Sequence, residues 1–473
     1  MADESVYFES KEFKNILKQY EESVKSGHPA YMDADDLADI ADYYHFYCRY
    51  DEAQAAIELA LKYNPDAIGP LLYKAREALA QNDYETAYEY QARIEAIDSQ
   101  EGLYFKGEIL ICQGKAEEAD ELFRQQLKEV YPDELIDYVY DVAHLFSDYN
   151  LHEKAFEWIA RSKGDDSDEF KELMGCTLFG LGKYKDSERI FNELIDHDPY
   201  SIRYWNALAN AQFMNEDYYS SITSSEYAIA INPNNAESVL SKANGLYSLG
   251  NFESAYSYFQ RYSEMMPNDD FGYLHQGTCL INLGRSTDAI KVLEKGAQVA
   301  EPDSQYLPEI YQELAFAYSE QHQLDNALYY IDKTELLDCD HVNMEVIRGH
   351  ILLYNNNMEK AEQAFKKALQ LSDNAPKTML RINVSLYDNQ YYQSSYLLFK
   401  KFFKYAGKNW HDGYSYMALC CRELKKEKEF MQYLELAVKN NPREAKLVLG
   451  SLFPEGMAPE SYVEYMSKQK NNQ

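Results

Sequence analysis

Asn206 and Asn210 stand four residues apart, and Asn244 follows Asn210 after a further 34. Residues four apart on a helix share a face. The first two amides therefore stack, and the third repeats the setting of Asn210 one period later. An amide both donates and accepts, so it can pair with a peptide backbone whatever that peptide's side chains. The spacing predicts a short ladder of amides suited to recognition. Covalent chemistry has no comparable constellation. Gly180-Leu181-Gly182-Lys183 lacks the further glycines and the preceding strand of a phosphate loop, and position 177 is Thr177. His152-Glu153 lacks the second histidine of a zinc helix, and the 10 histidines show no ligand spacing. No G-x-S-x-G elbow is present. The chain is not expected to be an enzyme or to hold a cofactor or a metal.

The elements that must position these residues announce themselves by repetition. Pro199, Pro233 and Pro267 fall 34 residues apart, and similar residue types return at matching offsets between them. A fixed period of this size marks a stacked repeat. Trp205, Leu208, Ala209 and Gln212 lie at helical spacing, so one face packs. Asn215–Asp217 and Gly250-Asn251 break the first helix of each unit, glycine suiting a left-handed C-cap. A second helix runs from Tyr218 to Ile231, or from Phe252 to Met266, and proline stops it. A small residue recurs early in each second helix: Ala53, Ala87, Ala119, Ala155, Ser187, Ser221, Ala255, Ala289, Ala327, Ala361 and Ser395, with Phe430 last. Intervals between these anchors run from 32 to 38 residues, giving about twelve units.

This register resembles the tetratricopeptide repeat, whose pattern is W-x2-L-G-x2-Y, then A-x3-F, then P. Ala255, Phe259 and Pro267 carry the later steps, and Ala361 with Phe365 carries A-x3-F again. The resemblance implies an all-α, right-handed superhelical solenoid of helix-turn-helix repeats with capping helices at its ends. Residues 1–33 are expected to be a lead and cap, 34–442 the array, and 443–473 a capping helix and tail. The N-terminal cap is a helix from Ser10 to Lys25, with Phe13, Ile16, Leu17 and Tyr20 on one face, ended by Gly27 and Pro29. Gly349 takes a close-packing position. In the family, first helices line a concave groove that binds a peptide or partner protein. That places Asp35, Asp39 and Asp42 at an acidic front, with His45. Asn206, Asn210, Phe213, Asn244, Tyr247, Phe271 and His275 form an amide and aromatic middle. The clamp of Lys, Asn, Asn, Lys and Arg with which some members hold a C-terminal carboxylate is not recognisable. The implied function is an interaction scaffold; the alternative is a regulatory or substrate-recruiting subunit of a larger enzyme complex.

Composition narrows the partners. A net charge of −33 argues against nucleic acid and anionic membrane, and suits a basic protein or peptide. The charge is uneven: Pro376 to Gln473 hold 15 basic and 10 acidic residues. Seven cysteines without C-x-x-C point to reduced, mostly buried thiols. The opening residues have no apolar h-region, and no apolar run reaches membrane-spanning length. A cytoplasmic protein is expected, and nothing in the sequence sets its oligomeric state. The 44 tyrosines are read mainly as packing rings between helices.

Overall fold

A computed structural model describes residues 7–8, 10–26, 31–162, 166–337, 339–407, 410–454 and 456–471. The expected helix stops Gly27 and Pro29 lie outside them. Every regular element among the described residues is helical. The chain divides into two units, Met1–Gly272 and Tyr273–Gln473.

In the first unit, the helix Lys11–Ser26 precedes a series of antiparallel pairs. These are Ala34–Phe46 with Tyr50–Tyr63, Ile68–Ala80 with Tyr84–Ile97, and Ser99–Cys112 with Ala116–Gln126. Then come Leu135–Asp148 with His152–Ile159, Asp168–Gly180 with Tyr184–His197, Ile202–Met214 with Tyr218–Ile231, and Ala236–Ser248 with Phe252–Met265. The second unit continues in kind from Asp270–Asn282, which straddles the boundary, with Ser286–Val299. It ends on the pair Tyr414–Glu423 and Glu427–Asn440, then Pro442–Leu449 and Tyr462–Asn471.

Caps start many of these helices. Asp217 accepts from Ser220 N at 3.2 Å and Asn235 from Ser238 N at 2.9 Å. An Asx side chain here satisfies one of the backbone donors a helix start leaves open. Every turn within a pair is closed by a left-handed residue five positions before the anchor. Glycine fills it at 114, 182, 250 and 284; asparagine fills it at 82, 150 and 356. Cys48, Glu216, His322, Gln390 and Lys425 adopt the same positive φ where the sequence has neither. The fold thus imposes the turn even on residues that resist it.

The eleven small anchors are all fully buried, and Phe430 is buried at the twelfth. The close-packing position opposite is equally tight. A Cβ on Gly349 would come within 2.2 Å of the Phe365 ring, so only glycine lets that aromatic seat. The N-terminal helix buries Phe13 and Tyr20, with Ile16 and Leu17 half-buried beside them. One expectation is corrected. Only Cys279, Cys420 and Cys421 are buried; Cys176 is exposed and the other three are partly so, all of them free. Tyr131, Tyr200 and Tyr219 are exposed, while Tyr31, also exposed, packs its ring against Tyr63 with centroids 5.3 Å apart.

Candidate functional site

The residue eleven before each anchor sits on the first helix. Along the first unit it is Asp42, Arg76, Glu108, His144, Cys176, Asn210 and Asn244. Acid, base, imidazole, thiol and amide thus occupy one register position in succession. Neighbours in this column meet. Arg76 forms a bidentate pair with Glu108, Nε to Oε1 at 3.0 Å and Nη2 to Oε2 at 3.2 Å. Tyr149 donates to the same Glu108 Oε1 at 2.7 Å. The Arg76 side chain is 60% exposed, yet burial among surrounding protein opposes its charge, and Glu108 more than offsets it. Cys176 is likewise exposed while burial pushes its thiol up to about 12. Both side chains are reached by solvent and yet flanked by protein.

At the front of this column Asp35, Asp39, Asp42 and His45 line one cavity of 730 Å³. Phe46, Tyr50, Leu72 and Tyr73 supply apolar surface; Gly69, Arg76 and Glu77 complete the far side. The helix Ala34–Phe46 presents the three aspartates at spacings of four and three, one face of a helix. Gly69 lets the next first helix pass close: a Cβ there would lie 3.0 Å from Asp35 Oδ1. Four carboxylates therefore face one guanidinium, and Arg76 is already shared with Glu108. Glu77 is held by Lys74 at 2.6 Å. Burial pushes the Asp39 carboxyl up; the Tyr7 hydroxyl, donating at 2.9 Å, pulls it down, and Asp36 and Asp35 push it up again. Burial, together with Asp39, raises Tyr7 to about 12, and burial with Glu77 and Asp42 does the same for Tyr73. Tyr73 also meets His45 Nδ1 at 3.2 Å.

The middle residues are placed differently from one another. Asn206 is 3% exposed, and its amide is spent on the next pair. It donates to Asn235 Oδ1 at 3.2 Å and Glu237 Oε2 at 2.9 Å, and accepts from Ser238 Oγ at 2.7 Å. Asn210 donates to Glu237 Oε1 at 3.4 Å and accepts from Ser241 Oγ at 3.2 Å. Asn244 is half-buried and joins neither among the described residues. The expected three-amide ladder is therefore replaced by two amides on one carboxylate. Adjacent first helices lie side by side, and polar groups at their seam satisfy each other before any ligand can. Arg203 with Glu172, and Tyr104 with Asp141 at 2.9 Å, follow the same rule. Phe213 packs against Tyr218 with ring centroids 5.3 Å apart, and Tyr247 against Phe252 at 5.4 Å. Phe271 is half-buried at the end of the first unit; His275 is half-buried in the second. The residues the sequence reading missed are Phe46, Tyr50, Tyr73 and Arg76. Arg76 was findable as the residue one period after Asp42.

Among the described residues no group of three His, Cys, Asp or Glu is placed to hold a metal ion. No described helix is long and apolar enough to cross a membrane.

Residues 204–296 match the family described as anaphase-promoting complex, cyclosome, subunit 3, and residues 346–374 match the tetratricopeptide repeat. No curated protein matches the chain. Among solved structures, a tetratricopeptide repeat protein from Parabacteroides merdae is similar at 14% identity, covering 52% of this chain and 96% of its own, with a TM-score of 0.40. MamA from Desulfovibrio magneticus is similar at 16% identity, covering 37% of this chain and 96% of its own, with a TM-score of 0.35.

Proposed function

We propose that this chain, which carries tetratricopeptide repeats, is a non-catalytic interaction scaffold whose acidic front binds a basic segment of a partner protein. One observation carries the reading: three aspartates of a single helix line a 730 Å³ cavity together with aromatic rings, and the Arg76 guanidinium there is engaged by Glu108. A lysine or arginine entering it meets carboxylates for its charge and ring faces for its stem. The array over 34–442, with 1–33 and 443–473 as its ends, is part of this reading, as is a cytoplasmic setting. Asn210, Asn244, Phe213, Tyr247 and Phe271 are a second contact region of the first unit; His275, in the second unit, is a separate contact candidate. Asn206 supports that region by fixing Glu237 and Asn235.

The test is titration of an oligoarginine peptide into the full chain at low and high salt. Binding should weaken with salt, because exposed charges are screened beyond about 8–10 Å at physiological strength. The triple variant Asp35→Asn, Asp39→Asn, Asp42→Asn should lose binding and keep its helical signal. Salt-independent binding, or binding untouched by the triple variant, defeats the proposal.

A second reading is a regulatory or substrate-recruiting subunit of a larger enzyme complex. The match of residues 204–296 to a family described as a complex subunit favours it. Affinity capture that returns the same stoichiometric assembly after the triple substitution would select it over the first.

A further inference from the structure

A stack of helix pairs ordinarily touches only its neighbours, so its pitch is soft. The first unit departs from this. Phe46 and Tyr47, at the end of the helix Ala34–Phe46, pack against the buried cluster of Val239, Tyr262 and Met266. Those three belong to the helices Ala236–Ser248 and Phe252–Met265 and the residue that caps the latter. Leu240, Tyr258 and Met265 surround the same contact. Pairs far apart in sequence thus meet side chain to side chain, and the run of pairs between them closes on itself within the unit.

Phe46 belongs to three structures at once. It packs on the distant cluster, it lines the acidic cavity, and its ring lies 6.1 Å from that of Phe8 in the N-terminal lead. Tyr47 shares the contact without lining the cavity, its ring 5.1 Å from Phe46 and 4.8 Å from Tyr43. The contact is small and made of half-buried rings, the kind that opens well below the free energy of global unfolding.

We propose that Phe46 and Tyr47 form a latch holding this turn of the array closed, and that closure and occupancy of the acidic cavity by a basic peptide favour each other through Phe46. When the latch opens, Phe46 loses its support on Val239, Tyr262 and Met266, and the cavity loses a fixed wall. A ligand that needs the wall therefore binds the closed form better. Linkage makes the effect reciprocal: the ligand holds the latch. The coupling half of the proposal rests on the binding reading above; the latch itself does not.

Hydrogen exchange followed by mass spectrometry on the full chain tests both halves. Tyr47→Ser and Met266→Gln open the contact from opposite sides, and neither residue lines the cavity. Each should speed exchange in the helix Phe252–Met265, and Met266→Gln should also speed it around Tyr43–Cys48. Each should weaken oligoarginine binding about tenfold. Oligoarginine added to the wild type should slow exchange in Phe252–Met265. Asp42→Asn should weaken binding and leave that exchange as it was. Unchanged exchange in both variants removes the latch. Faster exchange with unchanged affinity removes the coupling. A wild type that binds no oligoarginine removes the binding reading and the coupling together, while the exchange of the two variants still decides the latch.

Discussion

Arg76 and Glu108 occupy equivalent positions on successive first helices and close a two-bond ion pair, with the Glu108 side chain 6% exposed and that of Arg76 60% exposed. The carboxylate is buried and the cation wet, so removing the cation leaves the costlier partner behind. Tyr149 still donates to it. Arg76→Gln should cost about 1–2 kcal/mol, less than a fully buried pair because solvent screens the guanidinium. The same variant strips the Arg76 charge from the acidic cavity, and oligoarginine affinity should rise several-fold. Weaker binding by Arg76→Gln would place the ligand elsewhere.

The packing register predicts substitutions of opposite sign. Ala255 and Ala361 are fully buried, and leucine at either should overpack the stack by about 1–3 kcal/mol. Asn383 occupies the register position that holds Gly349 one period earlier. It is fully buried, and neither its Oδ1 nor its Nδ2 has a hydrogen-bond partner among the described residues. Asn383→Ala removes a buried amide that no described residue satisfies, and should stabilise by about 1–3 kcal/mol. Denaturant midpoints measure all three. A destabilised Asn383→Ala would mean the amide is paired.

Glu313, in the second unit, has its carboxyl pushed up to about 7 by burial, then by Glu309 and Glu320. A folded-state value above the unfolded one means the folded protein holds the extra proton. The associated stability is fully present below pH 4.5 and is lost as pH rises through 7. Melting temperature should therefore fall across that window, and Glu313→Gln should flatten the fall. At pH 8 the variant should be more stable by about 1–3 kcal/mol. A variant whose melting profile tracks the wild type throughout the window would rule this out.

Much of the fold was legible before any coordinates. The anchors from Ala53 to Ser395 are buried because a 34-residue period brings the same small side chain to the same helix crossing each time. The tight seat of Gly349 against Phe365 was legible for the same reason. That Asp35, Asp39 and Asp42 share one helix face also followed from spacing alone; that a cavity lies against that face did not.

The amides show where that reasoning stops. Period and spacing put Asn206, Asn210 and Asn244 on corresponding faces, but they do not say which face the neighbouring helix covers. Glu237 and Asn235 take the hydrogen bonds of Asn206, and only the packing of adjacent first helices brings them within reach.

The sequence by itself determined the helices, their turns and which small anchors pack, because these depend on residues within one period and its neighbours. The tertiary structure decided that Phe46 meets Val239, Tyr262 and Met266, and that Arg76 belongs to Glu108. A distant contact depends on the sum of small rotations from one pair to the next, and the intervals of 32 to 38 residues between anchors vary that rotation. No single period encodes the sum, so closure of the turn exists only in the assembled stack.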